Sequence, residues 1–164
     1  MDNSFSSYKA LIRKAIQDAN FQQHSALISG VLLRLSRLLE ASDVASLSSE
    51  QLELHKQLIS MVQTNAMDLQ NLRRLLHLAT EISDSYEDHS IDIDPNVIQF
   101  WSALDSFSAY EADASPDQVA SISESILNVL DFHYTGSTPL EQWLATPEIR
   151  QELDLQLQDL GTRL

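Results

Sequence analysis

The chain has 164 residues, 43% of them hydrophobic and 21% charged, enough to bury one core without metals or crosslinks. It has no Cys, which excludes disulfides, thiolate zinc sites and cysteine nucleophiles. Its net charge of −14 argues against phosphate backbones and anionic membranes as partners, because both need a basic footprint.

Apolar residues recur at helical spacing nearly throughout, and only three Gly interrupt them. The first helix is expected to begin near Ser4, with Phe5, Tyr8, Leu11, Ile12, Ala15, Ile16 and Ala19 on one stripe. A second helix follows from about Gln22 to Ala41. Its apolar set (Leu27, Ile28, Val31, Leu32, Leu33, Leu35, Leu38, Leu39) covers more than one face. That breadth implies a central position or a second face buried at an oligomer contact. After a loop from Ser42 to Ser48, Ser48 and Gln51 form the capping box of a third helix. Its stripe runs from Leu54 to Ala79 and on to about Ile82. One helix of that length would be about 50 Å long, so a break is expected near Thr64-Asn65.

Residues 83–94, SDSYEDHSIDID, read as an acidic linker. Beyond it each Pro follows a good capping residue: Asp94-Pro95, Ser115-Pro116, Thr138-Pro139 and Thr146-Pro147. Ser115 with Gln118, and Thr138 with Glu141, complete capping-box patterns. Helices are therefore expected over about 95–111, 116–134, 139–145 and 147–160, with Gly136 and Gly161 just past two ends. The expected fold is a single all-α domain over 1–164, an irregular bundle of six to seven helices. Long helices occupy the near-neutral region 1–82, and shorter Pro-started helices occupy the acidic region 95–164.

Charge divides along the same line. Residues 1–80 sum to +1 and residues 81–164 to −15, and no Lys or Arg occurs between Leu75 and Ile149. Acidity serving general solubility would be spread evenly. A lopsided field points to a partner-facing surface, or to attraction between the two halves. Arg34 with Arg37, and Arg73-Arg74, are the cations able to meet the acidic half or an anion.

Catalytic signatures are missing. There is no phosphate-cradling Gly loop, no G-x-S-x-G elbow and no H-E-x-x-H. Asp84, Glu87, Asp88, His89, Asp92 and Asp94 supply many oxygens but lack the Gly and the offsets of a calcium loop. His77 and Glu81 share a helix face as an ordinary surface contact. His133 falls in line with Ile122, Ile126 and Leu130 and is expected in the core.

The expected protein is non-catalytic, with no cofactor and no metal. Its partner is a basic protein, which it neutralises or escorts as an immunity protein or antitoxin does, or as a secretion chaperone or adaptor does. Aromatic area ringed by carboxylates is what such binding needs. The residues that offer it are Tyr86, Glu87, Asp88, Asp92, Trp101, Asp105, Tyr110, Glu111 and Asp113. Two alternatives stand beside this reading. One is an assembly subunit that forms a homodimer through the second and third helices. The other is a metal-dependent enzyme using the acidic region. No basic n-region followed by an apolar run is readable, and no stretch is apolar enough to span a bilayer, so a cytoplasmic location without nucleic-acid or membrane contact is expected.

Overall fold

A computed structural model describes residues 4–40, 47–85, 94–135 and 139–162. The described residues form seven α-helices: α1 (Phe5–Asp18), α2 (Phe21–Glu40), α3 (Ser49–Gln63), α4 (Leu69–Ser85), α5 (Pro95–Ala112), α6 (Pro116–Leu130) and α7 (Pro147–Asp159). A π-helical turn, Asp131–Thr135, continues α6, and a 3-10 turn, Leu140–Ala145, precedes α7. No strand occurs among the described residues. The all-α irregular bundle is as expected.

Local chemistry sets most of the helix ends. Ser4 accepts from the Ser7 amide, and Ser48 and Gln51 form the full capping box. Asp94 and Ser115 accept from the Asn96 and Asp117 amides, one residue short of the capping-box position expected for Ser115 with Gln118. Thr146 makes no side-chain cap, and Thr138 lies outside the described residues. α2 has a box that its sequence did not advertise: Asn20 Oδ1 accepts from the Gln23 amide at 2.9 Å, and Gln23 Oε1 accepts from the Asn20 amide at 2.9 Å.

The long third helix does break at Thr64-Asn65. Asn65 is left-handed, with φ 52°. Its amide donates to the Val62 carbonyl at 3.2 Å and the Ala66 amide to the Met61 carbonyl at 3.1 Å. These are the two bonds that end a helix on a left-handed residue. Gly161, φ 71°, ends α7 with the same pair of bonds, onto Gln158 and Leu157.

α2 is the central element, packed by α3, α5, α6 and α7, while α5 and α6 form the tightest helix pair. The breadth of its apolar face is therefore used within the chain, since Leu27, Ile28, Val31, Leu32, Leu35 and Leu39 are all buried. Phe5 packs edge-on against Trp143 at 4.8 Å, which holds the 3-10 turn on α1.

One polar chain crosses this core. Arg34 on α2 donates twice to Glu152 on α7, at 2.8 and 2.9 Å, and once to Asp159 at 3.1 Å. Gln156 donates to Glu152 at 3.0 Å and to the Ser123 carbonyl on α6 at 3.2 Å, while Ser123 Oγ donates back to Gln156 Oε1. Glu152 is 4% exposed. Burial pushes its carboxyl above the usual range, against the pull of Arg34. For Arg34 burial disfavours the charge, but Glu152 and Asp159 outweigh it and hold the guanidinium above its ordinary value.

Replacing one partner should therefore cost far more than replacing both. Arg34→Ala is expected to lower the unfolding free energy by about 3 kcal/mol, because it strands Glu152 without its cation. The double variant Arg34→Met with Glu152→Leu should recover most of that loss. Urea denaturation of the two variants and the parent checks both outcomes.

Candidate functional site

At the end of the bundle where α2 begins and α5 stops, a buried histidine organises the surface. His24 Nε2 lies 2.7 Å from the Ile16 carbonyl, which only accepts, so Nε2 carries the proton. Nδ1 is then the acceptor for the Tyr110 hydroxyl at 3.1 Å. Tyr110 is buried, and burial raises its phenol pKa, with the Glu111 charge adding to the effect. Its ring supports Phe21, stacked at 6.3 Å with planes 16° apart. Phe21 is 63% exposed, the largest exposure among the big apolar side chains of the described residues.

Exposed carboxylates lie close to this aromatic pair in the chain. Glu111 and Asp113 follow Tyr110 at the end of α5, Asp18 ends α1 three residues before Phe21, and Asp117 lies in the first turn of α6. All four are exposed, and none is in an ion pair among the described residues. Four cations of the N-terminal half are engaged elsewhere. Arg13 and Lys9 meet Glu124 at 2.8 and 3.5 Å; burial raises this carboxyl, but the two cations outweigh it and hold its pKa below the usual value. Arg34 is committed to α7, and Arg73 donates to Ser108 Oγ at 2.8 Å and to the Ser108 carbonyl.

Of the nine residues expected from the sequence, five lie within the described residues, spread along α5 and just past its end. Tyr86, Glu87, Asp88 and Asp92 lie outside the described residues. Glu111 and Asp113 flank the Phe21 surface as exposed carboxylates, with Tyr110 beneath as its buried support. Trp101 and Asp105 sit one turn apart on α5; Asp105 is exposed and Trp101 half-buried. The Trp101 indole N–H donates to His55 Nδ1 at 3.2 Å, so that ring is tied to α3 rather than freely presented. Phe100 beside it is fully buried, which makes the buried face of α5 wide. The sequence reading missed Phe21 because it begins a helix and lies off the apolar stripe. Its partner ring is 89 positions away, so no local pattern signals the stack.

Two other histidines stand out, and one of them, His133, departs from expectation. His133 is exposed, because the π turn widens the end of α6 and rotates it off the core face. His55, which showed no sequence signal, is 2% exposed and packs edge-on against Phe100. An indole only donates, so Nδ1 of His55 is unprotonated and its proton sits on Nε2, which finds no acceptor. Burial pushes its pKa down to about 4, with Asp94 acting the other way.

Among the described residues no His, Cys, Asp or Glu cluster could hold a metal ion, and no helix is long and apolar enough to cross a membrane. His77 and Glu81 form an exposed pair at 3.2 Å, an ordinary surface contact. No protein-family model, no curated protein and no solved structure matches the chain.

His55 predicts a pH dependence. Its folded pKa lies below the unfolded value, so the folded state binds fewer protons and stability falls as pH drops from about 6.5 towards 4. The loss between pH 7 and 4.5 should be about 2–3 kcal/mol from this residue. In His55→Gln the acid-side slope should be smaller than in the parent, as read by denaturant unfolding at the two pH values.

Proposed function

We propose that this chain is a non-catalytic binding module for a basic protein, and that the Phe21 end of the bundle is where the partner docks. The observation that carries the reading is an exposed aromatic ring stacked on a buried one, with exposed carboxylates nearby in the chain that are in no ion pair among the described residues. A preorganised ring supplies apolar area at low entropic cost, and its face attracts Lys or Arg. The unpaired carboxylates steer a cationic surface towards it and raise the association rate at low salt. Neutralising a cationic toxin, as immunity proteins and antitoxins do, and escorting a basic client, as secretion chaperones and adaptors do, both use this chemistry. The engagement of Arg34, Lys9 and Arg13 with Glu152 and Glu124, and of Arg73 with Ser108, supports the reading, since none of these cations is paired with a carboxylate of the Phe21 end.

The test is capture from the source cell at two salt concentrations. A protein of strongly basic composition should be retained at about 50 mM salt and released at about 300 mM. Phe21→Ala should weaken retention about tenfold or more. Glu111→Lys with Asp113→Lys should abolish it, whereas Glu50→Lys with Glu53→Lys on α3 should not. Equal retention by the Glu111/Asp113 reversal, or no salt-sensitive basic partner at all, sinks the proposal.

A further inference from the structure

Sixteen residues further along α2 from Phe21, about 24 Å at helical rise, lies a different feature. A groove of about 510 Å³ opens between the C-terminal part of α2, the end of α6, the π turn and α7. We propose that it binds a short hydrophobic zwitterion, of which an apolar dipeptide is the type.

Its walls are aliphatic, built from Leu38, Ile126, Leu130 and Leu155. The volume is in the range of small-molecule sites, about 300–1,000 Å³, and the apolar lining with few polar groups is their usual composition. The polar groups are what narrow the choice of ligand. α2 and α7 run antiparallel: Asp159 meets Arg34 beside Gly30, and Glu152 meets Arg34 one turn on. The next charges on the groove side of the two helices are Arg37 and Glu148, the latter one turn from Glu152; Arg150, between Glu148 and Glu152 in sequence, is exposed and is not part of the lining. Arg37 and Glu148 both line the groove, yet neither pairs with the other or with any described residue. The charge of Arg34 in the same wall is cancelled by Glu152.

Among the described residues, the groove thus offers one unpaired cation and one unpaired anion around an apolar floor. A simple carboxylic acid would satisfy Arg37 and leave Glu148 desolvated without a partner; a simple amine would do the reverse. A ligand with both charges and an apolar body satisfies both. The two termini of a dipeptide are separated by roughly two residue lengths, about 6–7 Å, which suits charges standing farther apart than an ion pair. The π turn forms the mouth. It brings His133 and Tyr134 into the lining, where Tyr134 is half exposed, and π turns inside helices recur at functional sites.

This site is independent of the Phe21 surface, so either can fail alone. The experiment is calorimetric and NMR titration of the full chain with leucyl-phenylalanine at neutral pH. Acetyl-leucyl-phenylalanine, which lacks the ammonium, and leucyl-phenylalanine amide, which lacks the carboxylate, are the controls. The expected result is saturable binding at one site, with backbone shifts confined to residues 34–38, 126–135 and 148–155. Each capped analogue should bind about tenfold weaker or worse. In Glu148→Gln the acetylated peptide should lose that disadvantage, and in Arg37→Gln the amide should lose it. Both are surface substitutions, and an unchanged thermal midpoint shows that each variant is folded. Absence of saturable binding, indifference to the end caps, or shifts centred elsewhere overturns the proposal.

Discussion

The structure depends on the bonds from Arg34 to Glu152 and Asp159. A carboxylate as buried as Glu152 is tolerated only beside a cation and further donors, which Arg34 and Gln156 supply. The same bonds fix how α7 lies on α2, because a shift of one turn would leave Glu152 buried without its partner. Gly30 is part of the arrangement. A Cβ there would come within 2.5 Å of the Asp159 carboxylate and 2.8 Å of Arg34, so the missing side chain makes room for the bridge. From Glu152 the chain of bonds passes through Gln156 to Ser123, and so ties the central helix and the last helix to α6. The proposed dipeptide groove opens where this ladder stops, with Arg37 and Glu148 left apart.

The charge asymmetry of the chain resolves into two uses. Part of it is internal: Lys9, Arg13 and Arg34 each reach a carboxylate of the C-terminal half. The exposed pairs add little stability, about 0–1 kcal/mol each, and mainly orient α1 on α6. The other part is external, at the exposed carboxylates Asp18, Glu111, Asp113 and Asp117, which are in no ion pair among the described residues. His24 links the two themes. By bonding the Ile16 carbonyl and the Tyr110 hydroxyl it joins the α1–α2 corner to α5, and so holds the ring on which Phe21 rests.

The fold was largely legible in the sequence because its signals are local. Ser4, Ser48, Asp94 and Ser115 cap helices within three residues of themselves, and Asn65 and Gly161 end helices through their own backbone. The apolar stripe of α6 was equally plain, but its continuation to His133 was not, because a π turn leaves no mark in the spacing of side chains. The candidate site was legible only as a composition. Glu111 and Asp113 could be chosen as acids near aromatic residues, yet nothing nearby in sequence marked Tyr110 as buried or Trp101 as bonded to His55.

By itself, the sequence determined an all-helical chain, the places where its helices begin and break, the absence of cysteine chemistry, and a negative C-terminal half. Those properties follow from residue types and from bonds spanning a few positions. Tertiary structure alone decided which charges are spent and which remain. Arg34 and Glu152 are 118 positions apart, and Phe21 and Tyr110 are 89 apart. Pairing over such separations is set by how whole helices pack, and periodicity along one helix carries no record of which neighbour its faces will meet.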